Sequence, residues 1–574
     1  MLADIADATK TAASASQWDH EVDLLVFGSG AGGLSAALFG EINGLKTLLC
    51  EKDAQLGGTT ASSGGIVWAP GNTHARRAGV DDPIEQARLY LKSEQGNHYR
   101  SDLADAFLES AGEAIDMLEQ QSDVKFRFLP WPDYHTNLPG GAESGRILEA
   151  LPFDGRRLGA RFGLVRAPYK PLMLLGGMQV DKRKVDDFLN PFRSVSTFLR
   201  VVRTFARYGV DRLSYQRGTE IGAGNALVAR FVASLLARNA QIWTGAPLVE
   251  LIVENGRALG AVILREGKRI RVRARRGVVL ATGGFPNSRT LREELSADFP
   301  YEFSFGFEGN VGDGILAARS AGAVMDSNLA STAYWQPSSS RTTSDGKREG
   351  VMYGYLDRGR PGVIAVDQSG KRFVNEANSY HDVGLALHEN GSARGAKHFF
   401  VCDRDFVWHH GLGMIRPFRP SLKRFLDMGY IVAADTVADL ARKIGVDPDG
   451  LVATVRRHNE FAQSGVDADF GKGSTSYNRL FAHPRAKPNG NLAPIQTAPF
   501  IALQIYPGAL GSAVGLDVDA DARVLGRDGR PIEGLFACGN DMASVMRGTY
   551  PSGGITLGPA IAFGYRAARR AAVS

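Results

Sequence analysis

Short apolar runs ending at glycine or an acidic residue set the pattern of the chain. Glu21–Phe27 (EVDLLVF) and Lys46–Cys50 (KTLLC) read as buried strands, and Leu34–Ile42 between them is an apolar, Ala-rich helix that Gly44 ends. Much later, Val278–Gly284 (VVLATGG) and Gly534–Asn540 (GLFACGN) repeat the form of a buried strand closed by glycine. Strand, helix and strand in this order predict an α/β domain with a parallel sheet. Ser194–Tyr208 (SVSTFLRVVRTFARY) is different: Phe198, Leu199, Val201, Val202 and Phe205 alternate with Arg200, Arg203 and Arg207 at helical spacing. No apolar run reaches the roughly 18 residues of a membrane-spanning helix. Residues 1–20 lack the apolar core of a signal peptide and predict a loose arm.

The turn after the first strand carries the first chemistry. Gly28-Ser29-Gly30-Ala31-Gly32-Gly33 matches G-x-G-x-x-G, and Glu51, with Lys52 beside it, ends the second strand 23 residues after Gly28. Alone, the glycine pattern is weak. Between strand and helix, with an acid about 20 residues on, it predicts dinucleotide binding. The glycines let backbone amides reach a pyrophosphate at a helix N-terminus, and the Glu51 carboxylate can accept from a ribose diol. A second loop follows directly, and Gly57, Gly58, Thr59, Thr60, Ser63, Gly64 and Gly65 could run under an isoalloxazine ring. An NAD enzyme would ordinarily continue its sheet there.

Composition narrows the class. The chain has 574 residues, 68 of them Gly, with no G-X-Y period, and the clustering suggests backbone pressed against a ligand. Net charge is +6, but residues 151–217 hold 14 Lys/Arg against 5 Asp/Glu, so the excess is local. No nucleic-acid-binding signature accompanies it. Cys50, Cys402 and Cys538 form neither a disulfide framework nor a metal spacing, which fits a reducing, cytoplasmic setting. The 151–217 segment suits a helix lying on an anionic membrane or one lying on the protein's own surface, and both readings stay open.

The late strands resemble the FAD-contacting strands of the two-dinucleotide-binding flavoproteins. The resemblance implies FAD, with Thr282, Gly283, Gly284, Gly539 and Asn540 among its contacts. Four further stretches sharpen it: Asp133-Tyr134 before Pro139-Gly140-Gly141; Trp335-Gln336-Pro337; Gly370–Glu376 (GKRFVNE); and Thr549–Ala560 (TYPSGGITLGPA). Together these resemble the 3-ketosteroid Δ1-dehydrogenases of the fumarate reductase/succinate dehydrogenase flavoprotein superfamily. The resemblance covers roughly 21–152 and 217–572. It implies a Rossmann-like FAD domain, split as 21–295 and 485–574, with an α+β catalytic domain inserted at 296–484. It also implies a hydrophobic ketone substrate. Tyr550 and the Gly554 amide would hold the ketone oxygen, Tyr353 would be the base with Tyr134 assisting it, and Gly554 and Thr556 would touch the flavin.

Tyr355, two residues from Tyr353, is the alternative base. Ser552 could add a donor or cap the last helix. Arg372 and Glu376 read as a structural ion pair, and His381 as a satisfied histidine. Fumarate reductases have an Arg shortly after the NE pair and another near the C-terminal glycines. Here Ala377–Asp382 and the 550–554 stretch contain none, which disfavours a dicarboxylate. Residues 56–65 contain no His, so the FAD is expected to be non-covalent. Rival readings are a desaturase of a simpler cyclic ketone, a Δ4-type ketosteroid dehydrogenase, an enoate reductase and a non-catalytic flavin sensor. A quinone, a carrier or O₂ stays open as the electron acceptor.

Overall fold

The computed structural model describes residues 18–169, 173–180, 184, 187–188, 190–343, 345–352 and 357–574. Within them the chain builds two principal sheets. The first runs in the order Arg523–Leu525, Pro531–Ala537, Arg257–Arg265, Lys268–Leu280, His20–Phe27, Thr47–Cys50, Gln241–Trp243, with Leu248–Glu254 added beside Arg257–Arg265. Its centre is parallel: His20–Phe27 lies between Lys268–Leu280 and Thr47–Cys50, and Val278–Leu280 also pairs with Leu535–Ala537. The C-terminal part of the chain therefore completes the sheet that the N-terminal part begins. Layered helices on a parallel sheet explain why these strands are apolar on both faces.

The helix Ala31–Ile42 begins inside the glycine turn, three residues before its apolar run, because Gly32 and Gly33 already belong to its first turn. It is buried on nearly all sides, which accounts for its lack of a polar face. The last helix, Leu557–Val573, packs along it. Gly564 makes that approach fit, since a Cβ there would lie 2.3 Å from Ser35 Oγ.

The second sheet is mostly antiparallel, in the order Arg348–Met352, Ala333–Thr342, Phe500–Ser512, His398–Asp403, Val363–Val366, with Phe303–Ser304 and Val432–Ala434 paired to Phe500–Ser512. Phe500–Ser512 is thus the spine of the second sheet, although a boundary at 484/485 assigns it to the first domain. Nothing in its composition marks the difference, because a central strand is apolar in either sheet. By sheet membership we place the return to the first domain between Ser512 and Arg523. The Asp19 amide donates to Arg271 O at 3.0 Å and the first strand begins at His20; residues 1–17, most of the expected arm, lie outside the described residues. The amphipathic stretch is the helix Val195–Asp211, capped by Ser194 on the Thr197 amide.

A charged latch joins the two bodies. His135, in the loop after the strand Phe126–Leu129, reaches Glu94 Oε1 through Nδ1 (2.5 Å) and Asp382 Oδ2 through Nε2 (2.9 Å). Glu94 lies on the helix Ile84–Gln95 and Asp382 in the first turn of Tyr380–Glu389. Burial alone would discharge the imidazole, but Asp382 and Glu94 outweigh it and hold its pKa well above 6.5. Asp382 is held below its ordinary value by His135 against burial.

The His135 contribution is therefore complete below about pH 6.5 and fades as pH rises through the raised folded value. The Asp382 contribution is present above its ordinary pKa and fades in acid. His135→Gln should lower stability by about 3 kcal/mol, because two buried carboxylates lose their cation. Melting curves from about pH 5 to 9 should show the largest gap from wild type near pH 5–6.5, narrowing at higher pH. A gap independent of pH would mean that the imidazolium is not the stabilising species.

Candidate active site

The cavity between the sheets begins at the glycine turn. Phe27 to Gly32, Glu51 and Lys52 line one end. The Glu51 carboxylate accepts from the Ser29 amide (3.0 Å), Ser29 Oγ (2.5 Å) and the Asp53 amide (3.0 Å). Burial pushes its pKa up, opposed by these donors and by Arg166 and Lys52. Ser29 Oγ also accepts from the Gly57 amide at 2.9 Å, tying the first loop to the second. Gly33 acts within the turn itself. A Cβ there would sit 1.8 Å from Gly28 O, so this glycine closes the turn and does not reach the cavity.

The second loop lines the middle through Gly58, Thr59, Thr60, Ser63 and Gly64. Thr60 Oγ1 accepts from the Ala31 amide (3.0 Å), and Thr59 Oγ1 from the Phe307 amide (2.8 Å) and Asn310 Nδ2 (3.0 Å). Thr282 and Gly283 join them, as do Gly539, Asn540 and Thr556 from the C-terminal part. Buried Asp541 binds the Thr282 amide (2.6 Å) and the Gly284 amide (2.9 Å), so the two late strand ends are cross-linked. A Cβ on Gly58 or Gly539 would meet no protein atom within 4 Å. Bare backbone facing the cavity, a buried acid at a strand end and hydroxyls in line fit a dinucleotide.

Of the other expected contacts, Gly57, Gly65, Gly284 and Gly554 do not line the cavity. Each is packed against protein: a Cβ on Gly65 would strike Ala223, and one on Gly284 would strike Ser512 Oγ. Gly554, at φ +94°, presses on the strand Ile66–Trp68, where a Cβ would lie 2.6 Å from the Trp68 nitrogen.

At the far end the cavity meets tyrosines. Tyr334, Tyr380 and Tyr550 line it. The Tyr380 hydroxyl donates to Tyr550 Oη at 2.6 Å, and Tyr134 to Tyr380 Oη at 3.4 Å. The Tyr134 ring stacks on Tyr550 at 5.7 Å and an interplanar angle of 9°. Local structure holds each one. The Tyr134 amide donates to Pro551 O (2.8 Å), and neighbouring Asp133 is buried between Arg146 Nη1 (2.7 Å) and Trp68 Nε1 (2.9 Å). Tyr380 opens a helix with a Ser379/Asp382 capping box. Ser552 is buried beside Asp133, not in the cavity.

Of the two tyrosines expected at the site, Tyr550 lines the cavity, and Tyr134 stacks on it without lining the cavity itself. Sequence reasoning missed Tyr380, although the capping box was readable and marks a helix start. It also missed Tyr334, Gln336 and Arg358. Tyr334 and Gln336 share one face of a strand while Trp335 packs on His388 behind it. Arg358 is buried, donating to Asn378 O (2.7 Å) and Tyr477 Oη (3.3 Å), with its guanidinium 5.8 Å from the Tyr380 ring centre. Tyr353 and Tyr355 lie outside the described residues; Met352, just before them, lines the cavity. Arg372 and Glu376 form a buried ion pair (2.9 Å) with Asp467 and Lys472. His381 lies behind Tyr550 with its rings 5.5 Å apart; burial pushes its pKa down to about 4, so it is neutral.

Comparison with known proteins adds three findings. The FAD binding domain family model matches residues 23–557. The chain is similar to a 4-oxocyclohex-2-ene-1-carboxylate 5-dehydrogenase of Sinomonas cyclohexanicum, 36% identical over 95% of this chain and 93% of that protein. It is equally similar to a 3-oxosteroid 1-dehydrogenase of Mycobacterium tuberculosis, 36% identical over 96% of this chain and 98% of that protein. Among solved structures, 3-ketosteroid Δ1-dehydrogenase from Sterolibacterium denitrificans in complex with 1,4-androstadiene-3,17-dione superposes with a TM-score of 0.87 at 35% identity, over 96% of this chain and all of that one.

Proposed function

The chain belongs to the FAD-binding dehydrogenase family that includes the 3-oxosteroid 1-dehydrogenases, and we propose that it introduces a ring double bond beside the 3-keto group of a steroid, at Δ1. The observation that carries this reading is the 2.6 Å bond from Tyr380 to Tyr550 at the cavity wall. A hydroxyl that accepts a hydrogen bond becomes a stronger donor. Tyr550 is thereby suited to donate to a ketone oxygen as enolate charge develops there. In this reading the second donor is the Gly554 amide, although the residue itself does not line the cavity.

Loss of the α proton makes the enolate, and loss of a hydride from the β carbon completes the double bond. FAD, when bound, supplies the acceptor for that hydride. We assign the proton to Tyr353, with Tyr355 as the alternative and Tyr134 assisting. A tyrosine base works against an ordinary pKa of about 10. Among the described tyrosines, Arg358 lies 5.8 Å from the Tyr380 ring centre, where a buried guanidinium favours an ionised phenol.

A dicarboxylate reductase is disfavoured. Among the described residues lining the cavity the cation is Lys52, which is paired with Asp313 at 2.5 Å near the nucleotide end.

We also propose that the helix Val195–Asp211 rests on an anionic membrane, where a water-insoluble ketone partitions. Val195, Phe198, Leu199, Val202 and Phe205 are exposed, whereas Val201 turns inward. The apolar stripe therefore faces solvent, opposite to an ordinary surface helix. Among the described residues no helix is long and apolar enough to cross a membrane.

The enzyme should reduce a dye acceptor with a saturated or Δ4 3-ketosteroid and not with succinate. Tyr550→Phe should lose about 10²–10³ in kcat while keeping its FAD. Full activity in that variant would remove Tyr550 from ketone activation. Sedimentation with anionic vesicles should be strong at low salt, weaker at high salt, and weaker still for Phe198→Ser/Leu199→Ser. Absence of binding at low salt would leave the helix as plain surface.

A further inference from the structure

We propose that Gln336 is a substrate-specificity residue, whose carboxamide donates a hydrogen bond to an acceptor oxygen carried by the substrate away from the reacting ketone. This rests on the dehydrogenase reading above and adds to it the polar feature that the enzyme selects.

Gln336 lies on the strand Ala333–Thr342 of the second sheet, two residues from Tyr334 and on the same face. Both line the cavity. Strand geometry separates such neighbours by roughly 6–7 Å, so Gln336 sits one side chain along the wall from the tyrosines that hold the ketone. It is only 5% exposed, and its amide nitrogen is buried without a hydrogen-bond partner among the described residues.

The rest of this wall is either apolar or already engaged. Met352, Leu510 and Phe305 are apolar, the Tyr334 hydroxyl is bonded to Ser544 Oγ, and the Tyr169 hydroxyl donates to Gly350 O at 3.4 Å. A buried amide that finds no acceptor is costly, and nearly all such groups in folded proteins are satisfied. The terminal torsion of Gln is soft and roughly two-fold, so the NH₂ can turn toward the cavity without moving the strand. A hydrocarbon surface against it would leave the donor unmet. A hydroxyl, carbonyl or carboxylate oxygen would meet it. The site thus discriminates by the penalty on substrates that lack the oxygen as much as by attraction to those that carry it.

The test uses the FAD-loaded enzyme and two matched pairs: 4-oxocyclohexanecarboxylate against cyclohexanone, and an 11-oxygenated 3-ketosteroid against its 11-unsubstituted parent. The pairs separate a carboxylate source of the oxygen from a neutral one. Gln336→Met removes the donor at similar volume, and Gln336→Glu replaces it with an acceptor. Both variants should weaken spectrally titrated binding and kcat/KM for the oxygenated member of at least one pair by about 10–100-fold. The unsubstituted member should change by no more than about threefold. Flavin absorption, FAD content and melting temperature should match wild type.

An equal fall for both members of each pair, or no fall for either, would overturn the proposal. So would a shifted flavin spectrum with unchanged preference, which would assign the amide to the cofactor. Wild-type inactivity on every cyclic ketone would instead remove the dehydrogenase reading beneath it.

Discussion

The site lies where two separately built sheets meet, and the bond from Tyr380 to Tyr550 is the point of contact on which the proposed chemistry depends. Tyr550 and Tyr134 come from segments that complete the nucleotide-binding body. Tyr380 opens a helix packed on the other sheet, where Trp335 gives its amide to His381 Nδ1 at 3.1 Å. A shift of even 1 Å between the bodies would break a 2.6 Å bond. The arrangement is accordingly pinned close by, through His135 between Glu94 and Asp382, and through Asp133 between Arg146 and Trp68.

Most charges around the tyrosines are paired. His381 is neutral because burial discharges it, and Arg358 brings a guanidinium among the rings. The acids nearby are engaged elsewhere, Asp133 with Arg146 and Asp382 with His135. Arg358, which also lies beside the Asp357 carboxylate, is the group there that favours developing negative charge on a ketone or phenol oxygen. The nucleotide end is organised differently, with backbone amides, hydroxyls and one buried acid, as suits a ligand held by many weak donors.

What could be read in advance follows from how local each signal is. The strand, glycine turn, helix and Glu51 form one continuous segment whose spacing alone defines the geometry, and the structure agrees there nearly residue for residue. Tyr550 was legible because its TYP and glycine context is compact. Tyr380 was not, since it meets Tyr134 and Tyr550 across 246 and 170 residues of sequence, and the places of Gln336 and Arg358 follow only from packing. The place of Phe500–Ser512 in the second sheet was hidden for the same reason. The apolar residues of Val195–Asp211 were legible, but which way they face depends on what packs beneath Val201.

The central claim is that Tyr380 strengthens Tyr550 as the donor to the ketone. The direct measurement is anaerobic single-turnover reduction of the bound flavin by a 3-ketosteroid in Tyr380→Phe, followed across pH. The account predicts full FAD content, near-normal steroid binding, a reduction rate about tenfold lower and a displaced pH profile, as expected when one buried hydrogen bond to a reacting donor is lost. A wild-type rate with an unchanged pH profile would contradict it.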